Sequence, residues 1–145
     1  MENNTELTPE AQALENSIIS DLQNGTFSLI KGLAYGVGAE KEMQYVVSFR
    51  ELTAGDLIDA QVASEKVVMT KEGPVLVSSP ALMGVEMLRR QIAKVGCING
   101  PLSLTQLKAL DPEDFQRLSI ATDVRDIALA ASMSNDRGRV VAVSE

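Results

Sequence analysis

The spacing of apolar positions changes along the chain, and each change predicts a different element. From Pro9, the residues Ala13, Leu14, Ile18, Ile19 and Leu22 recur at helical intervals. Thr8 can cap this helix, Pro9 suits its first position, and Glu10 complements the macrodipole. Asn24-Gly25 ends it. The period then drops to two. Phe27, Leu29, Leu33 and Tyr35 alternate in one segment, and Met43, Tyr45, Val47 and Phe49 in the next. The Gly-rich stretch GVGAEKE between them predicts a β-hairpin over about residues 26–50.

Helical spacing returns at Thr53. The Thr53 hydroxyl can accept from the Asp56 N–H, and the Asp56 carboxylate can reach back to the Thr53 N–H, as in a short-armed capping box. This helix is expected over about 53–64. The segments KVVMT and PVLVSS, separated by KEG, predict a second short hairpin. Ser79-Pro80 opens a helix over about 80–96, with Ala81, Val85, Leu88, Ile92 and Val95 as its apolar stripe and Gly96 as its stop. Ser103, with Gln106 at the capping-box position, starts a helix over about 103–110. Asp111 caps the last one, over about 112–132, which carries Phe115, Leu118, Val124 and Ile127. Residues 1–7 read as disordered, and 134–145 as a flexible tail that can add a strand.

These elements predict an α+β fold in which an N-terminal β-hairpin packs against a mainly α-helical bundle. Residues 1–25 form an arm with a short helix, and 26–133 a single domain.

Composition narrows what such a domain can do. Histidine is absent, which removes the commonest general base and excludes Cys-His zinc sites and Ser-His or Cys-His nucleophile pairs. The formal charge of −7 argues against sequence-independent nucleic-acid binding and against an anionic membrane surface. One cysteine, Cys97, cannot form an intramolecular disulfide, so a reducing compartment is expected. MENNTELTPE lacks the basic and apolar regions of a signal peptide, and no apolar run approaches a membrane span. The expectation is a soluble intracellular protein without cofactor or metal.

Candidate chemistry is thin. Asp56 and Asp59 share a helix face, with Glu51 just before, and such acids could hold a cation or divide acid and base roles. Capping and the macrodipole already account for them in the first helical turns. The glycines of KGLAYGVG lack dinucleotide or P-loop spacing. Met83 and Met87, four apart on one helix with Leu88 and Ile92, are the candidate partner-binding residues, because flexible thioethers suit varied apolar helices. Ordinary core filling would use the same residues.

The order of the pieces carries more information than any one of them. A hairpin leads into VSFRELTAGDLIDAQVASE, then VSSPALMGVEMLRRQIAKVG, then INGPLSLTQLKALDPEDFQRL. This resembles the tail assembly chaperones of Mu-like phages and prophages over about residues 26–130. Its most specific parts are Arg50 to Asp56 and Leu88 to Leu102. The resemblance implies a non-enzymatic protein of the host cytoplasm that binds the tape measure protein, a very long, helical, aggregation-prone chain that sets tail length. The chaperone would keep that chain soluble, present it for tube polymerisation and then leave. The broad apolar helix faces and scarce aromatics are also compatible with an oligomer, so self is a further candidate partner, and the resemblance implies a longer form made by ribosomal frameshifting. The alternatives are a structural tail or baseplate component and, as an outsider, a metal-dependent enzyme using Glu51, Asp56 and Asp59.

Overall fold

A computed structural model describes residues 8–143, with side chains as far as Ser134. The expected disorder of residues 1–7 lies outside the described residues, as do the last two positions of the tail.

Helix α1 (Pro9–Asn24) is capped by the Thr8 hydroxyl, which accepts from the Ala11 N–H at 3.2 Å, and it ends where Gly25 turns left-handed. Strands β1 (Ser28–Tyr35) and β2 (Glu42–Phe49) form the antiparallel hairpin, with an irregularity between Ser28 and Leu33. Leu29, Leu33 and Val47 are buried, while Ile30, Tyr45 and Val46 are exposed. Tyr35, Met43 and Tyr45, expected on the apolar face, lie beyond the covered part of the hairpin and are exposed.

Helix α2 (Ala54–Ser64) leads directly into the ribbon β3 (Glu65–Thr70) and β4 (Gly73–Ser78), which pairs only with itself. Helix α3 (Pro80–Gln91) returns antiparallel to α2. The helix expected to reach residue 96 stops at Gln91. Ile92–Val95 is strand β5, hydrogen-bonded to β2, with Val47 opposite Val95 and Phe49 opposite Ile92. The physical reason is tertiary: the open edge of β2 needs a partner, and the β-branched Ile92 and Val95 satisfy it while filling the core. The short β6 (Ile98–Asn99) completes a four-stranded antiparallel sheet in the order β1-β2-β5-β6.

Helix α4 (Leu104–Lys108) is followed by α5 (Pro112–Val143). Helix α5 runs past residue 132, through most of the stretch read from sequence as a flexible tail or strand.

The fold is α+β, but the helices do not form a bundle with its own core. One cluster joins Ile18 of α1, Phe27, Leu29, Leu33 and Val47 of the hairpin, Leu88 of α3, Ile92 and Val95 of β5, and Leu118 and Ala121 of α5. Helices α1, α3, α4 and α5 therefore share one core with the sheet, while α2 packs against α3.

The docking of α5 rests on Asp114, which is 0 % exposed. Its carboxylate accepts three successive backbone N–H groups at the β1 irregularity, from Ile30 (2.6 Å), Lys31 (2.9 Å) and Gly32 (3.0 Å). Gly32 has φ +88°, a conformation that side chains disfavour, and it lets the three donors converge on one acid. One turn on, Arg117 donates to the Ser28 carbonyl at 3.1 Å, stacks 5.2 Å from the Phe27 ring centre and approaches Asp21 of α1 at 3.7 Å. Asp114→Ala would leave three donors without their acceptor. We expect it to lower unfolding free energy by roughly 3 kcal/mol or more, read from denaturation midpoints. A loss under about 1 kcal/mol would show that water replaces the carboxylate.

Candidate functional site: a groove between three helices

The stretch from Arg50 to Asp56 joins β2 to α2 and forms one wall of an open hollow. Thr53 and Asp56 make a reciprocal capping box: the Thr53 hydroxyl accepts from the Asp56 N–H at 3.2 Å, and Asp56 accepts from the Thr53 N–H at 2.8 Å. Asp56 also takes an ion pair from Arg50 at 2.8 Å. The Thr53 N–H first, and then the Arg50 guanidinium, hold the Asp56 carboxyl down at about 2, below its ordinary 3.8. Arg50 donates its second arm to the Arg90 carbonyl at the end of α3. The capping acid thus helps tie α2 to α3.

Glu51 and Asp59 are exposed, and all three donors to Asp56, from Arg50 and Thr53, meet on its Oδ2. Among the described residues no group of three or more potential metal ligands converges.

The groove itself has a volume of about 490 Å³ and lies between α2, α3 and α5. Its apolar lining is Leu52, Leu57, Met87, Ala128 and Leu129, and its charged rim is Arg50, Glu51, Arg125 and Asp126. Arg125 stacks 4.9 Å from the Phe49 ring centre and donates to the Arg50 carbonyl at 3.3 Å, so its charge is fixed against the sheet. Burial, and then the neighbouring Asp123, raise the Asp126 carboxyl, with Arg125 opposing them. A second hollow of about 320 Å³ lies between α3 and α5, lined by Val85 and Phe115 among others. Met87, Gln91 and Asp126 border both hollows.

Of the four residues singled out from the sequence, only Met87 lines the groove. Met83 is half-buried, and its sulfur accepts from the Ser64 hydroxyl of α2 at 3.8 Å. Leu88 and Ile92 belong to the core and are closed to a partner: Leu88 faces the sheet from α3, and Ile92 sits in β5. The remaining caps are local. Ser79 accepts from Leu82 at 3.3 Å, Ser103 and Gln106 form a capping box, and Asp111 accepts from Glu113 at 2.9 Å.

The residues missed from sequence are Leu57, Leu129 and Arg125. A signal existed for the arginine: Asp114, Arg117 and Arg125 fall on the same side of α5 as Leu118 and Ala121, and charges on an apolar stripe mark specific tertiary partners.

Glu86 is buried on α3 and bridged by Arg89 at 2.7 Å and by Arg90. Burial raises its carboxyl, but Arg90 and Arg89 outweigh this, and the net direction is down.

Because Asp56 has a folded value below its unfolded one, its contribution to stability is present above 3.8 and lost as pH falls through about 2. Acid unfolding followed by circular dichroism should therefore be less steep across that window in Asp56→Ala. Thr53→Ala should cost about 1 kcal/mol. Equal acid transitions in Asp56→Ala and the parent would remove the carboxylate from the account.

Comparison with known proteins places the chain in a family. The family described as "Tail assembly protein gp41" matches residues 29–139. The chain is 62% identical over 139 residues to the probable tail assembly protein gp41 of Escherichia phage Mu, covering 96% of each chain. It is 61% identical over 132 residues to the probable tail assembly protein FS-gp41 of the same phage, covering 91% of this chain and 70% of the relative. With the Mu-like prophage FluMu protein gp41 of Haemophilus influenzae it shares 50% identity over 110 residues, covering 75% of this chain and 83% of the relative. No solved structure matches. The chain belongs to the gp41 tail assembly protein family of Mu-like phages and prophages, and its role lies in phage tail assembly.

Proposed function

We propose that the chain is a tail assembly chaperone of the host cytoplasm that binds the tape measure protein, keeps it soluble during tail tube assembly and is absent from the finished virion. The observation that carries this reading is the open groove between α2, α3 and α5. Its apolar floor and charged rim suit one face of an amphipathic helix, the commonest form of a long helical partner. A deformable thioether, Met87, lines it and can adapt to successive turns of different sequence. Exposed Met133, four residues beyond Leu129 on the same helix face, extends the apolar surface along α5.

The chain's charge of −7 supports the same reading, since like-charged complexes repel one another and stay dispersed. A polar rim keeps affinity moderate, as release demands. The length difference between the two phage Mu relatives is in keeping with a second, longer form as a partner in assembly.

Co-expression tests the reading. The tape measure protein encoded in the same genome should be soluble and co-purify with this chain. Met87→Glu and Leu129→Glu, both at accessible positions, should return it to the insoluble fraction while leaving the chain folded. Equal solubility without the chain, with no complex, would overturn the proposal. Mass spectrometry of purified virions separates it from a structural tail or baseplate role, in which the chain would be present in stoichiometric amount.

A further inference from the structure

The β3–β4 ribbon lies at the end of the α2–α3 pair remote from the groove, and the reading above makes no use of it. It pairs with no other strand among the described residues, so both of its edges are open. Val67, Val68, Met69, Val75, Leu76 and Val77 are all exposed, Met69 to 74%. A two-stranded ribbon with apolar side chains on both faces is marginal in water by itself. An open, apolar edge is also a template for another strand.

We propose that the ribbon is a self-association element, through which two copies of this chain join along the outer edges of their β3 strands, antiparallel about Val67, to share a four-stranded sheet.

The choice of edge follows from the register. Met69 stands opposite Pro74, which has no N–H to donate. That pair is therefore a non-hydrogen-bonded one, and the Pro74 nitrogen faces outward, leaving a gap in the donor row of β4. By the same alternation Glu65, Val67 and Met69 turn their N–H and C=O groups outward on β3, which carries no proline. One edge of the ribbon is blunted and the other is complete.

The choice of occupant follows from charge. The ribbon and its turn carry Glu65, Lys66, Lys71 and Glu72, two of each sign, on a chain of net charge −7. This neutral strip can meet its own copy without the repulsion that the rest of the surface imposes. In a register centred on Val67, Glu65 faces the partner's Met69 and Lys66 faces the partner's Val68. Lys71, two residues beyond Met69, then lies diagonal to the partner's Glu65, and the two-fold axis makes that complementary pair twice. No like charges stand opposite each other, and Val67 meets the partner's Val67 on the axis.

Sedimentation of the intact chain tests this. The parent should have twice the mass of one chain. Val67→Lys and Val67→Glu place like charges on the axis and should each weaken the dimer by roughly a hundredfold. An equimolar mixture of the two variants should restore it. Leu76→Lys, which removes a similar apolar side chain from the β4 strand, should remain dimeric. Circular dichroism checks that each variant is folded, and restoration by mixing is a result that a misfolded variant could not give. A monomeric parent, Val67 variants that stay dimeric, or a mixture that does not re-associate would each overturn the proposal. Dissociation by Leu76→Lys to the same extent would assign the contact to β4 instead. A monomeric parent whose capture of the tape measure protein is lost in Val67→Lys would assign the ribbon to that partner.

Discussion

A single buried carboxylate sets the relation between the long helix and the sheet. Asp114 accepts three successive N–H groups where β1 is irregular. A buried charge is tolerated only when it is saturated with hydrogen bonds, and three charge-assisted bonds meet that condition. The arrangement is reciprocal. The irregular strand needs an acceptor, and the first turn of α5, with its free N–H groups and positive dipole end, is where an acid is best placed. Moving either partner strands the other.

From that anchor the rest of α5 follows as a series of clamps. Arg117 holds β1 and approaches α1, while Leu118 and Ala121 enter the core. Arg125 stacks on Phe49 and reaches the carbonyl of Arg50. The helix thereby arrives over the β2–α2 junction with Ala128 and Leu129 turned toward α2 and α3, and the groove is the space left between them. The capping stretch from Arg50 to Asp56 is part of the same construction: Arg50 ties the start of α2 to the end of α3, and so fixes the width of the opposite wall.

Local signals were legible where the physics is local. The caps at Thr8, Thr53, Ser79 and Ser103 act over three residues and are visible in the chain as a hydroxyl followed by an acid, an amide or a proline. Both hairpins follow from alternation and turn residues. The end of α3 did not follow. Residues 92–95 fit a helical stripe and a buried strand equally well, and the open edge of β2, over forty positions away in sequence, decided for the strand. Two of the candidate partner residues are in the core for the same reason: once Ile92 is a strand residue, it and Leu88 close the core, and Met87 is left facing the groove.

The sequence by itself determined most of the elements, their caps, the α+β class and, through the order of its pieces, the family. These depend on interactions between residues a few positions apart or on a pattern held along the chain. Tertiary structure decided which apolar residues are core and which are surface, that the helices share a core with a sheet instead of forming a bundle, and that three charges on one stripe of α5 point inward. Each of these is a contact between elements distant in sequence. Whether Asp114 is a solvated helix-start acid or the anchor of the fold depends on the three backbone N–H groups it meets more than eighty residues earlier.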